Sequence, residues 1–201
     1  MRCSVARTLF LWAALAPSTA AFGADTPPIG EADWGLEPLM ARLHQIKSAS
    51  AQFVEHTYVG LLTRRLEASG TLSYVAPSTL EKITTKPVHE SVVLQGETLT
   101  GTQSDGDRYS ISLDDHPDVA ALVECIRSTL AGDLPTLRRY YAIEFTGSRA
   151  DWQIQLTPKD ESVRDKVDRI RISGKDETLK KIEVHEEDGD HSEMTITPDK
   201  P

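Results

Sequence analysis

The 201-residue sequence predicts an α+β domain built on one large, strongly curved antiparallel sheet with about three helices. Three observations carry that prediction. Apolar and polar residues alternate along many short segments, as in Trp152-Gln153-Ile154-Gln155-Leu156. Tight-turn residues such as Gln95-Gly96, Asp105-Gly106 and Asp188-Gly189-Asp190 separate consecutive segments, and strands joined by turns this short pair antiparallel. Helical spacing is confined to two stretches, 36–46 and 117–141.

In the first of these, Leu36, Leu39, Met40, Leu43 and Ile46 fall on one stripe, so this amphipathic helix needs a surface to cover. From Lys47 onward the period changes to two. Ala51 and Phe53, then the stretch 61–67, predict a first pair of strands, with Leu72 and Tyr74 in a third before the turn Ala76-Pro77-Ser78. Strands over 80–85, 91–94 and 98–103 follow, and Tyr109, Ile111 and Leu113 alternate in another. Asp114-Asp115-His116 then reads as the capped start of a second helix, where carboxylates favour the positive end of the dipole. Pro117 stands in its first turn; Val119, Leu122, Val123, Ile126 and Leu130 form its stripe; Gly132 is its stop. A short third helix is expected over 134–141. Strands resume over 142–146, 152–156, 168–173, 179–186 and 193–197, the last three joined by Gly174-Lys175-Asp176 and by 188–190. With no internal repeat, one domain over 36–201 is the economical count, preceded by a flexible Pro- and Gly-rich segment over 24–35.

Residues 1–23 read as a cleaved secretory signal: Arg2 and Arg7, the apolar run Leu9 to Ala16, then Ala21 and Gly23 at an A-x-A-like site. The apolar run is too short to span a bilayer. Cys3 is lost with the signal, which leaves Cys125 as a lone thiol expected to pack as a small hydrophobe. Losing Arg2 and Arg7 takes the formal net charge from −9 to −11. That balance disfavours nucleic-acid binding and adhesion to anionic lipid, and isolated pairs such as Arg138-Arg139 and Lys180-Lys181 do not offset it.

No nucleophile elbow, phosphate loop, zinc signature or dinucleotide fingerprint occurs. The segment His185-Glu186-Glu187-Asp188-Gly189-Asp190-His191 holds two histidines and several carboxylates, yet a hairpin turn at Gly189 explains its spacing without a metal. No catalytic residue, metal or cofactor is therefore expected.

Several short motifs, taken in order, resemble the LolA-type outer-membrane lipoprotein carriers. Phe53-Val54-Glu55 stands for the family's F-x-Q after the first helix, and Gly70-Thr71-Leu72-Ser73-Tyr74-Val75-Ala76-Pro77 for its G-x-L-x-x-x-R-P. Pro87, Glu90 and Ser91 fit P-x-x-E-S, Gly96 and Leu99 fit the following hairpin, and Trp152 to Pro158 is similar to a late strand ending L-x-P. The likeness covers residues 36–197. It implies an unclosed barrel whose concave face is covered by helices and encloses an apolar cavity for acyl chains, in a monomeric periplasmic carrier. The implied cargo is an acylated lipoprotein or another lipid, received from an inner-membrane exporter and passed to an outer-membrane acceptor.

The candidate cavity residues are Phe53, Leu72, Tyr74, Leu80, Ile111 and Leu113, then Leu122, Ile126 and Leu130 from the covering helix, and Trp152, Ile154 and Leu156. Ordinary core packing is the competing reading for each. Ala76 replaces the arginine that latches the lid in the family, so the latch is missing or made elsewhere, and Pro201 follows the last strand too closely for the family's C-terminal extension. A sensor domain that retains its ligand, or a small hydrolase built on unplaced carboxylates and histidines, remain alternatives of other classes.

Overall fold

The computed structural model describes residues 34–199, so the signal segment and residues 24–33 of the flexible lead-in lie outside the described residues. Helix α1 (Leu36–Leu43) leads into six strands: β1 (Ser48–Tyr58), β2 (Leu66–Val75), β3 (Thr79–Lys86), β4 (Glu90–Gln95), β5 (Thr98–Gln103) and β6 (Arg108–Ser112). A 3-10 turn (Leu113–Asp115), α2 (Pro117–Ala131) and α3 (Leu134–Tyr140) intervene. The chain closes with β7 (Tyr141–Ser148), β8 (Asp151–Pro158), the single turn α4 (Glu161–Arg164), β9 (Val167–Lys175), β10 (Thr178–Glu186) and β11 (His191–Pro198).

All eleven strands form one antiparallel sheet in the order β6-β5-β4-β3-β2-β1-β11-β10-β9-β8-β7. The strand neighbours follow the chain except where β1 pairs with β11, which welds the two runs of strands together. β6 and β7 are its free edges, so the sheet is unclosed, as expected.

Gly132 ends α2 in the left-handed conformation, at φ 65°, and a Cβ there would stand 2.2 Å from the Met40 carbonyl oxygen. A glycine is therefore needed twice over, for the turn and for the approach of α1. His44 Nδ1 and the Ala131 carbonyl oxygen, 2.9 Å apart, tie the same two helix ends. The main core lies where α1 and α3 cover β7 to β9. Trp152, Ile154 and Leu156 of β8 and Ile170 and Ile172 of β9 are fully buried there, packed in one cluster with Leu39, Leu43 and Leu137 from the helices.

Four local expectations change. The stretches 61–67 and 71–75 are not two strands: β2 begins at Leu66, and 59–65 is a loop in which Leu61 is 95% exposed. The acidic pair before α2 does not cap it. Asp114 and Asp115 form the 3-10 turn, and His116 occupies the N-cap with no side-chain bond. Gly174 is not the turn residue of the β9–β10 hairpin. Asp176 takes the positive φ of 52°, while Gly174 lies in β9 beneath the Trp152 ring, where a Cβ would come within 2.4 Å of it. The lead-in is already fixed at Trp34, which packs on the core between the guanidinium groups of Arg42 and Arg149, each 5.8 Å from its ring centroid.

Candidate functional site

Alternation along each strand decides which side chains look inward, and the strand register lines them up. Ala49 and Ala51 of β1 stand opposite Tyr74 and Leu72 of β2; Tyr74 stands opposite Leu80 of β3, Leu80 opposite Leu94 of β4, and Leu94 opposite Leu99 of β5. On the other flank Ile182 of β10 faces Met194 of β11, and Ile196 of β11 faces Phe53. These two flanks enclose a cavity of about 360 Å³, roofed by Val123, Ile126 and Leu130 of α2 and edged by Ile46 after α1. Its volume lies toward the lower end of the roughly 300–1,000 Å³ range of ligand pockets. β5 and β10 stand six strands apart, about 29 Å in a flat sheet at about 4.8 Å per strand. Both line the one cavity, so the sheet bends strongly around it.

The structure brings Leu72, Tyr74, Leu80, Ile126 and Leu130 together in this lining and places the other candidates elsewhere. Trp152, Ile154 and Leu156 are sealed in the packed core, each 0% exposed. Their alternation was read correctly as inward-facing, but α1 and α3 fill the space in front of them. Phe53 is buried just beyond the cavity, with the Lys82 ammonium 4.9 Å from its ring centroid. Leu113 belongs to a satellite cluster with Leu94 and Ala120. Ile111 sits opposite Leu99 near the free edge and outside the lining, and Leu122 turns outward from α2, 36% exposed.

Sequence reasoning missed Val92, Leu94 and Leu99 on one wall, and Leu179, Ile182, Met194 and Ile196 on the other. Each lies in a strand that alternation had found. For the second wall, what was lacking was the β1–β11 pairing that carries the last strands around to face the first.

Arg127 reaches from α2 to the β4–β5 turn. Its Nη1 donates to the Gly96 carbonyl oxygen at 2.7 Å and its Nη2 to Glu97 Oε1 at 3.0 Å. Arg127 also pairs with Glu124, which is buried and accepts from Ser128 Oγ at 2.9 Å. The roof is thus fastened to the sheet by an arginine on the helix, whereas Ala76 sits in the position where the resemblance implied one. These groups wall a second depression of about 510 Å³, but Arg127, Glu97 and Glu124 are already paired with one another and it offers little apolar surface.

Cys125 lies on the covered face of α2, 1% exposed, and burial pushes its thiol up to about 12. Tyr141 donates to the Ala121 carbonyl oxygen at 2.7 Å, and burial raises its phenol well above the ordinary range. In the segment 185–191 the aspartates serve the backbone: Asp188 accepts from the Asp190 N–H at 3.1 Å and Asp190 from the Gly60 N–H at 2.9 Å. His185 and His191 stack there, their centroids 5.7 Å apart. Among the described residues no group of three or more His, Cys, Asp or Glu side chains is placed to hold a metal, and no helix is long and apolar enough to cross a membrane.

A LolA superfamily protein from Nitrosomonas europaea is similar in structure at 10% identity, covering 84% of this chain and 96% of that one with a TM-score of 0.45. A domain from Vibrio parahaemolyticus described as an outer membrane lipoprotein-sorting protein matches at 9% identity, covering 81% and 89% with a TM-score of 0.42. A search of curated proteins returned none with significant similarity. Membership rests instead on the family profile for outer membrane lipoprotein carrier proteins that are LolA-like, which matches residues 26–197. The chain, with its unclosed sheet folded about an apolar cavity, belongs to the LolA-like family of outer membrane lipoprotein carriers.

Proposed function

We propose that the protein carries the acyl chains of a lipoprotein, or of another acylated lipid, in the cavity under α2 and ferries them through the periplasm toward the outer membrane. An exporter in the inner membrane would load it and an acceptor at the outer membrane would unload it. The observation that carries this reading is the cavity itself, whose exposed lining is overwhelmingly apolar and comes mainly from aliphatic side chains on both flanks of the sheet.

The physics favours such a carrier. An acyl chain in water is costly, and each methylene buried contributes about 0.8 kcal/mol. Carriage needs no bond-making group. It needs an apolar space and a roof over it; on the cavity side α2 is held to the β4–β5 turn by the polar contacts of Arg127.

Titration with a fatty-acyl probe that fluoresces in apolar surroundings tests the reading. Saturable binding of one probe per chain is expected, with loss of at least about tenfold in affinity for Ala49→Trp, since a large ring obstructs the lining at a position already exposed in the fold. Absence of probe binding by the wild type, together with native mass spectra free of co-purifying lipid, overturns it.

A further inference from the structure

We infer that the ion pair between Lys82 and Glu55 forms the floor of the cavity and limits the length of acyl chain it accepts. This rests on the acyl-carrier reading above and adds the class of tail that the site selects.

Of the three charged residues that line the cavity, Glu81, Lys82 and Glu177, Lys82 is the one that the register sets between two aliphatic neighbours of the lining, Leu72 on one side and Val92 on the other. Lys82 lines the cavity, whereas Phe53 and Glu55 do not. Its ammonium leans past the lining to Glu55 Oε2 at 2.6 Å, over the Phe53 ring. On the β1–β4 flank the apolar lining therefore ends at the lysine, while Met194, the register partner of Glu55, continues it on β11; beyond the lysine is a charge pair that still touches water, with side chains 34% and 20% exposed.

A methyl terminus can rest against the lysine stem at little cost. A longer chain would have to part the ion pair or strip the water that it retains, and burying a separated charge is far more costly than the gain from one further methylene. The two charges neutralise each other, so the pair offers no net charge to a head group. Selection then acts on the tail and leaves the polar end of the lipid outside.

Displacement of the same fluorescent probe by a homologous series of saturated fatty acids reads this directly. In the wild type, affinity should rise about fourfold per added methylene, then stop rising at a defined chain length. In Glu55→Leu/Lys82→Met the break should move to longer chains while shorter ones bind as before. The reversed pair, Glu55→Lys/Lys82→Glu, should keep the break where the wild type has it, and a cooperative urea transition with wild-type far-ultraviolet circular dichroism marks both variants as folded. A break at the same length in wild type and apolar variant, or a wild type with no break at all, removes the floor and leaves the carrier reading standing. No displacement at any length removes both.

Discussion

The two ends of the sheet use the same alternation to opposite effect. In β8 and β9 the inward residues Ile154, Leu156, Ile170 and Ile172 are sealed to within 1% of full burial, whereas Leu72, Leu80, Val92 and Leu99 in β2 to β5 are only half-buried. The cover explains the difference. α1 and α3 both press large side chains onto the packed end, while the other end is spanned by α2. The part of α2 that packs tightly is built of Ala121, Cys125, Ser128 and Thr129, and its bulky Val123, Ile126 and Leu130 remain half-buried above the cavity. The same strand pattern thus builds a solid core at one end and leaves a hollow at the other.

The packed end should be the more sensitive to truncation. Ile154→Ala should cost about 2–5 kcal/mol, because a fully buried side chain leaves a void its neighbours cannot close. The midpoint of urea unfolding reads it, and a loss no greater than that of a lining residue would erase the distinction between the ends. Next, Arg127→Met should cost about 1.5–3 kcal/mol through hydrogen bonds made by a charged group. Amide exchange should quicken in α2 while α1 and β8 keep their protection; uniform quickening would show that α2 belongs to the rigid half. Val92→Ala should cost about 1 kcal/mol or less, since its side chain already faces space on one side, and probe binding should persist.

Two gentler measurements sharpen the contrast. Cys125, protonated at neutral pH and covered by the sheet side of α2, should react with thiol reagents no faster than the whole protein unfolds, and faster in Arg127→Met. Rapid labelling of the wild type would mean that α2 lifts unaided. The smallest effect concerns His185, whose imidazole is held below its usual range by burial first and then by Arg169 and Arg171, with Glu183 opposing. A folded-state pKa below the unfolded value of about 6.5 means that the contribution to stability is complete above that pH and is lost as pH falls through the folded value. His185→Phe should flatten the acid side of a stability–pH curve, and an unchanged curve would assign the slope to other groups.

Much of the fold was legible because it is written locally. Gly96, Gly106 and Gly189 mark their hairpins by positive φ, and Pro117 and Gly132 bracket α2. The 59–65 loop was misread because Leu61 and Leu62 are apolar yet exposed, and composition alone does not reveal that no strand pairs with them. The cavity was legible only in half. Leu72, Tyr74 and Leu80 announce an inner face, but whether that face meets a helix, as at Trp152, or an empty space depends on residues far away in the chain. Arg127 gave no local signal at all, since one arginine on a helix is ordinary until the β4–β5 turn arrives beneath it.

The free edges β6 and β7 have one further consequence. The stretch of chain that joins them is the one that contains α2 and α3, so the sheet is a bow and the helices are its string. Opening the bow to admit a thicker guest draws on the string, and slackening the string lets the bow flatten. If the cavity loads as proposed, loading and roof movement should be one motion, and distance labels placed on β6 and β7 should separate in step with the lifting of α2.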